Sequence, residues 1–243
     1  MEIKVLGGGN AFSDNNSSFL IDVQNVKILF DCSENSFRYI RDNNIDIDIV
    51  YISHTHFDHI GGLEKLIFYN YFVKNKKTQI IAHKDLELEK FLPEGKLFEN
   101  GEIINTSYYS LKEINENKFI EYYIYDFEDV IFEYKLVKGN HIVTPNYGLI
   151  INENNKILLI TGDTKGSKTI RNEILILSNL KENSKMLIFH DYQETGSPIN
   201  SIHCCEEDFK HYYSDLENLK NIKFYKYHND TFDKQFTGEI FKI

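Results

Sequence analysis

Tryptophan is absent from this chain of 243 residues, and proline and cysteine occur only three times each. The few prolines leave strand and helix patterns almost uninterrupted. Cys32 stands alone and Cys204 and Cys205 are adjacent, with no CxxC pair, so a disulfide framework and a thiolate zinc ribbon are both excluded. Reduced structural thiols are expected. No apolar run approaches the ~20 residues of a membrane helix. The opening MEIKVLGGGN has neither the basic nor the apolar stretch of a secretory signal. These absences predict a protein that acts in the cytoplasm, of a bacterium or of a phage-infected cell, without contact to a membrane. Basic residues are also scarce, 27 Lys and Arg against 37 Asp and Glu, for a net charge of −10. That balance opposes a stable nucleic-acid complex, which depends on cations neutralising phosphates. A small anionic ligand stays open, because two bound divalent cations would reverse the field locally.

What is present is a chain 42% apolar, long enough for one well-buried core, and residues 1–243 are expected to form one domain. Short β-branched runs at Ile3 to Leu6, Phe19 to Val23, Val26 to Asp31 and Asp48 to Ser53 read as strands. Further strands are expected at Phe119 to Tyr125, Val130 to Val137, Gly148 to Asn152, Lys156 to Thr161, Met186 to Phe189 and Lys223 to Tyr227. Helices are expected near Ser167 to Asn179 and from Glu206. Two β-rich halves with helices between them give an α/β class with two packed sheets and helices outside. The stretch Gly62 to Lys74 is apolar on nearly every side of a helix, so it must be covered on more than one face. That predicts a homodimer with this helix at a two-fold contact.

The densest chemical signal is Ser53-His54-Thr55-His56-Phe57-Asp58-His59-Ile60-Gly61-Gly62, placed between a strand and a helix. Imidazole and carboxylate are the ligands zinc prefers, and this spacing lets His54 and His56 turn to one point while Asp58 and His59 reach another nearby. Four ligands are too few for two metals. His141, Asp163 and His228 each follow a predicted strand and complete the set, with Gly162 permitting the tight turn before Asp163.

With these residues in place, the sequence resembles the metallo-β-lactamase superfamily, in its branch of tRNase Z and related phosphodiesterases. The likeness extends to Leu6-Gly7-Gly8-Gly9-Asn10-Ala11-Phe12-Ser13, Leu29-Phe30-Asp31-Cys32-Ser33 and Tyr147-Gly148. It implies an αββα four-layer sandwich and two divalent ions, zinc or manganese. His54, His56 and His141 would hold one ion and Asp58, His59 and His228 the other, with Asp163 bridging. Asp31 would support the histidine loop without ligating.

Phe189-His190-Asp191-Tyr192 and Ser201-Ile202-His203-Cys204 stand where that branch carries an acidic residue orienting a second histidine, with Asp191 replacing glutamate and bulkier neighbours around His203. The resemblance implies that Asp191 orients His203 as general acid for the leaving oxygen. His190 reads as a core histidine or a support near the site. His83 and His211 have no partner ligands in the pattern. Tyr108, Tyr109, Tyr122, Tyr123 and Tyr125 offer a stacking surface for a base, although alternating aromatics fit ordinary strand faces or a dimer contact better.

The mechanism so implied is phosphodiester hydrolysis, with the metals activating water and Asp58 holding and polarising the nucleophile. Between His141 and Asp163 there is room only for a strand, a turn and a strand, so the tRNA-gripping arm of tRNase Z has no place there. The pattern is similar to cyclic-nucleotide phosphodiesterases of the superfamily, anti-Pycsar enzymes among them, and implies 3′,5′-cyclic mononucleotides as substrate. The alternatives are tRNA 3′-end processing, hydrolysis of a lactam, lactone or thioester, and a non-catalytic nucleotide-binding sponge or sensor.

Overall fold

Ile157, Leu158, Leu159 and Ile160 alternate between two hydrophobic clusters, one on each side of their strand. That period-two pattern describes a sheet buried on both faces. The computed structural model describes residues 1–93, 96–99, 102–105, 108–115, 117–122, 131–180, 184–195 and 201–243. Strands β1 (Glu2–Gly7), β2 (Ser18–Val23) and β3 (Val26–Phe30) lead into helix α1 (Glu34–Asp42), β4 (Ile49–Ile52), the single turn α2 (Phe57–Ile60), α3 (Leu63–Phe72) and β5 (Thr78–His83). A hairpin of β6 (Lys96–Glu99) and β7 (Glu102–Asn105) precedes β8 (Tyr109–Ile114), β9 (Ile120–Tyr122) and β10 (Phe132–Lys138). β11 (Tyr147–Glu153), β12 (Lys156–Ile160), α4 (Lys168–Leu180) and β13 (Lys185–Asp191) follow. The chain ends with α5 (Glu206–Tyr213), β14 (Ile222–Tyr227), α6 (Asp230–Phe236) and β15 (Ile240–Lys242).

One sheet runs β15-β1-β2-β3-β4-β5-β8 and the other β14-β13-β12-β11-β10-β9. The larger core cluster lies between them and continues under α1 and α3, while α4 and α5 cover the outer face of the second sheet. The four-layer αββα arrangement is therefore present. Hairpins β2–β3 and β11–β12 turn at Gln24-Asn25 and Asn154-Asn155, all four residues with positive φ, the backbone twist that two-residue hairpins require.

Phe19 joins the sheets. Its ring lies 4.9 Å from Phe189 on β13 and 5.2 Å from Tyr227 on β14, fully buried. Phe19→Ala is expected to cost about 3–5 kcal/mol, read as a lower denaturant midpoint with an unchanged slope.

The expected strands and helices are all found with ends shifted by a few residues, and residues 123–130 lie outside the described ones. Sequence reasoning passed over α1, α6, β5, β8, β15 and the β6–β7 hairpin. The apolar excess of α3 is partly absorbed within the chain: buried Tyr108 sits 5.3 Å from Phe68 and 4.9 Å from Tyr71. Phe72 and Val73 stay exposed at its end. Among the described residues no helix is long and apolar enough to cross a membrane.

Candidate metal centre

β4 delivers the histidine loop. After Ile52 the chain bends at Ser53 and reaches an extended His56, which starts α2, and one helical turn then presents Asp58 and His59. Candidate ligand atoms of His54, His56, His141 and Asp163 lie within 4.8 Å of one another, as do those of Asp58, His59, Asp163 and His228. Asp163 belongs to both groups and divides its oxygens between them. Oδ2 faces His54 Nε2 at 3.6 Å, while Oδ1 faces His59 Nε2 at 3.2 Å and His228 Nε2 at 3.4 Å.

His59 Nε2, His141 Nε2, His228 Nε2 and Asp163 Oδ1 are buried without hydrogen-bond partners. Each such atom costs about 1–3 kcal/mol if left unsatisfied. Nitrogen and carboxylate donors converging in this way could hold divalent cations, so the residues fit a metal centre.

The supporting contacts fix which nitrogen is free. Buried Asp31 accepts hydrogen bonds from Ser53 N at 2.8 Å, Ser53 Oγ at 2.7 Å and His59 Nδ1 at 2.7 Å. The Thr144 carbonyl accepts from His141 Nδ1 at 3.1 Å, and Asp191 Oδ1 lies 3.4 Å from His228 Nδ1. Nδ1 of His59 and of His141 is engaged and Nδ1 of His228 faces a carboxylate, which leaves Nε2 of each ring for ligation. Burial, then the neighbouring His59, holds His54 well below the ordinary imidazole range, in the neutral form that binds metal. Burial would lift the Asp58 carboxyl, but His228 and His59 beside it hold it well below the usual carboxylate range.

Two further groupings meet the same distance, Asp31 with His54 and His59, and Asp191 with Asp163, His203 and His228. Asp31 already accepts from three donors, and Asp191 Oδ2 accepts from Thr164 N at 2.7 Å and His203 Nδ1 at 2.8 Å. Those carboxylates orient histidines, which is the arrangement expected around ligands.

Gly162 makes the turn that aims Asp163. Its φ is 64°, and an added Cβ would lie 2.2 Å from Asn146 Oδ1 and 2.9 Å from Ser53 Cβ. Gly162→Ala is therefore expected to shift Asp163 and weaken metal affinity about 10- to 100-fold in a folded protein, measured by competition with a chelating dye.

On β13 successive side chains face opposite ways. His190 packs against Phe209 and Tyr213 beneath α5, and its Nδ1 donates to the Asp191 carbonyl at 2.7 Å. It is a core histidine, removed from the ligand groups. Asp191 turns to the other side and holds His203, whose ring centroid is 4.6 Å from that of His228. Burial opposes charge on His203, but Asp191 overcomes it and the imidazole is pushed up to about 9. Ser201 Oγ fixes the adjoining backbone, accepting from His203 N at 3.1 Å.

The centre opens into a cleft of about 1030 Å³ whose lining includes Phe12, Phe57, Ile202 and His203. No Lys or Arg is among its described lining residues. The tyrosines follow the strand-face reading rather than the stacking one: Tyr108 is buried against α3, Tyr122 stacks on Phe132 at 4.8 Å and Tyr109 lies on β8, and none of these three lines the cleft. Tyr123 and Tyr125 lie outside the described residues. His83 stacks on Tyr147 at 3.6 Å and His211 sits against Tyr212, both apart from the ligand groups. Sequence reasoning missed Ser53, Asn146 and Thr164 as supports and Phe12 and Phe57 as cleft residues. The hydrogen bonds and exposures that give them these roles form only in the fold.

The crystal structure of the metallo-β-lactamase fold protein YhfI from Bacillus subtilis resembles this one with a TM-score of 0.64 and 15% identity, covering 99% of this chain and 98% of that one. The crystal structure of Tm1679, a metal-dependent hydrolase of the β-lactamase superfamily, also resembles it, with a TM-score of 0.58 and 17% identity, covering 100% of this chain and 99% of that one. An anti-Pycsar protein Apyc1 of Bacillus phage BSP38 is 40% identical over 78 residues, 30% of this chain and 30% of that protein. Probable RNase MJ4 of Methanocaldococcus jannaschii is 29% identical over 243 residues, 91% of this chain and 51% of that protein. The chain thus matches at most about half the length of these two relatives. The family model of the anti-Pycsar protein Apyc1 matches residues 1–240, and the chain belongs to that family.

Proposed function

We propose that this protein is a phosphodiesterase with two metal ions that opens 3′,5′-cyclic mononucleotides to 5′-nucleotides. The observation that carries the reading is the His203–Asp191 pair, 2.8 Å apart, set beside the ligand cluster with His203 lining the cleft. His54, His56 and His141 would hold one ion and Asp58, His59 and His228 the other, with Asp163 between them. When bound, zinc, or manganese in its place, supplies acidification of water and neutralises charge on phosphate oxygens. The described cleft lining has no cationic Lys or Arg to do the latter. Asp58, held ionised, accepts a hydrogen bond from the attacking water and aims its lone pair at phosphorus. As the P–O3′ bond breaks, the cationic His203 gives its proton to O3′, and Asp191 stabilises the charge on the ring beforehand.

Substrate size follows from what joins the ligands. Between His141 and Asp163 lies the β11–β12 hairpin with its two-residue turn, and no further element. RNA 3′-processing remains the second reading, favoured by the likeness to a probable RNase. An RNA body needs Lys and Arg near the cut, and the described lining offers none. The sponge reading would make the paired His203 and the full ligand set superfluous. We place the protein in the cytoplasm, consistent with three buried, unpaired cysteines, and as a homodimer through the exposed end of α3. Phe72→Asp with Val73→Asp is expected to give a monomer by light scattering at micromolar concentration, where the parent is a dimer.

Nucleotide analysis after incubating the fully metal-loaded protein with a 3′,5′-cyclic mononucleotide tests the reading. It predicts the 5′-monophosphate. The 3′-monophosphate, or binding without turnover, would contradict it.

A further inference from the structure

The loop between β1 and β2 places a fully solvated ring at the cleft. Phe12 is 99% exposed and Phe57 is 77% exposed, the highest values among the large apolar side chains described, and both line this one cleft. A lone exposed phenylalanine is unremarkable, but two that line one cleft beside a polar centre offer apolar faces to a ligand held there.

The backbone of the loop that carries this ring is braced. Phe12 N donates to Asn10 Oδ1 at 2.9 Å, Gly9 N to the Asn15 carbonyl at 2.9 Å, and Asn16 Nδ2 to the Asn10 carbonyl at 2.8 Å. Two more bonds tie the loop to α6, from Ser13 Oγ to Asp230 at 2.6 Å and from Asn15 Nδ2 to Asp233 at 3.2 Å. The ligand His228 joins the same unit, its backbone N–H donating to the Gly8 carbonyl at 2.8 Å. The backbone that carries Phe12 is therefore held in place relative to the metal centre. A flat apolar ring on a braced loop, lining the same cleft as a phosphate site, suits a flat group attached to a phosphodiester.

Resting on the phosphodiesterase reading, we propose that Phe12 is the platform on which the nucleobase of the substrate stacks, and that the braced β1–β2 loop sets KM through it. The experiment is steady-state kinetics of Phe12→Ala, Phe12→Tyr and the parent. The two substrates are a 3′,5′-cyclic mononucleotide and the corresponding cyclic ribose phosphate that carries no base. Phe12→Ala should raise KM for the nucleotide about 5- to 150-fold, the range that base–aromatic stacking is worth, with kcat within about 3-fold. The baseless substrate should show no change, and Phe12→Tyr should restore the parent KM. Asp230→Ala, which loosens the loop and keeps the ring, should raise KM for the nucleotide alone. An unchanged KM in Phe12→Ala, or equal losses on both substrates, overturns the platform while leaving the phosphodiesterase reading intact. Conversion of a dimeric parent to a monomeric Phe12→Ala protein would also overturn it, by making the ring a subunit contact. A parent that opens neither substrate overturns both readings together.

Discussion

Asp58→Ala is expected to abolish turnover and lower metal content below that of the parent. The carboxylate lies 3.4 Å from His59 Nε2 and 3.7 Å from His228 Nε2, inside the second ligand group. Its removal would take away a metal ligand and the acceptor for the attacking water, and leave His59 Nε2 and His228 Nε2 with Asp163 Oδ1 as their shared carboxylate neighbour. His56→Ala should behave alike for the first group, because its Nδ1 lies 3.2 Å from His54 Nε2. Metal analysis beside an assay with bis(p-nitrophenyl) phosphate separates the two effects. An Asp58→Ala protein with two ions and full activity would remove the assignment.

His203→Ala is expected to keep its metal complement and lose about 10²–10⁴-fold in rate on an unactivated diester, the usual worth of a positioned general acid. The ring touches the centre through Asp191 and the flank of His228, so its loss leaves both ligand groups intact. On bis(p-nitrophenyl) phosphate the leaving phenolate needs little protonation, and the rate should return close to that of the parent. Asp191→Asn should fall between, since it keeps a side chain beside His203 and removes the charge that raises its proton affinity. Equal losses on activated and unactivated esters would make His203 structural.

Much of the site was legible because its ligands sit where short-range rules apply. His54, His56, Asp58 and His59 occupy one strand exit and one helical turn. His141, Asp163 and His228 follow strands that short apolar and aromatic runs make legible. Asp191 and His203 came from the family likeness, and their 2.8 Å contact crosses a stretch whose sequence has no periodicity to read. Supports such as Asn146, whose Nδ2 donates to the Thr161 carbonyl at 2.9 Å, exist only once β11 and β12 pair. The tyrosines, read as strand-face residues before a stacking surface, show the same limit. Alternation tells which residues share a strand face, but not whether that face meets the cleft, and Tyr108 and Tyr122 lie in the packing of α3 and of β10. The greasy helix was read correctly as needing cover on several sides. Part of that cover is Tyr108, remote in sequence and invisible to any window along the chain.

The most direct measurement sets a 3′,5′-cyclic mononucleotide, a cyclic dinucleotide and a precursor tRNA against one fully metal-loaded preparation and compares kcat/KM. Rapid opening of the cyclic mononucleotide to its 5′-monophosphate, with the precursor tRNA untouched, is the predicted result. Efficient removal of the tRNA trailer with inert cyclic mononucleotides would contradict it.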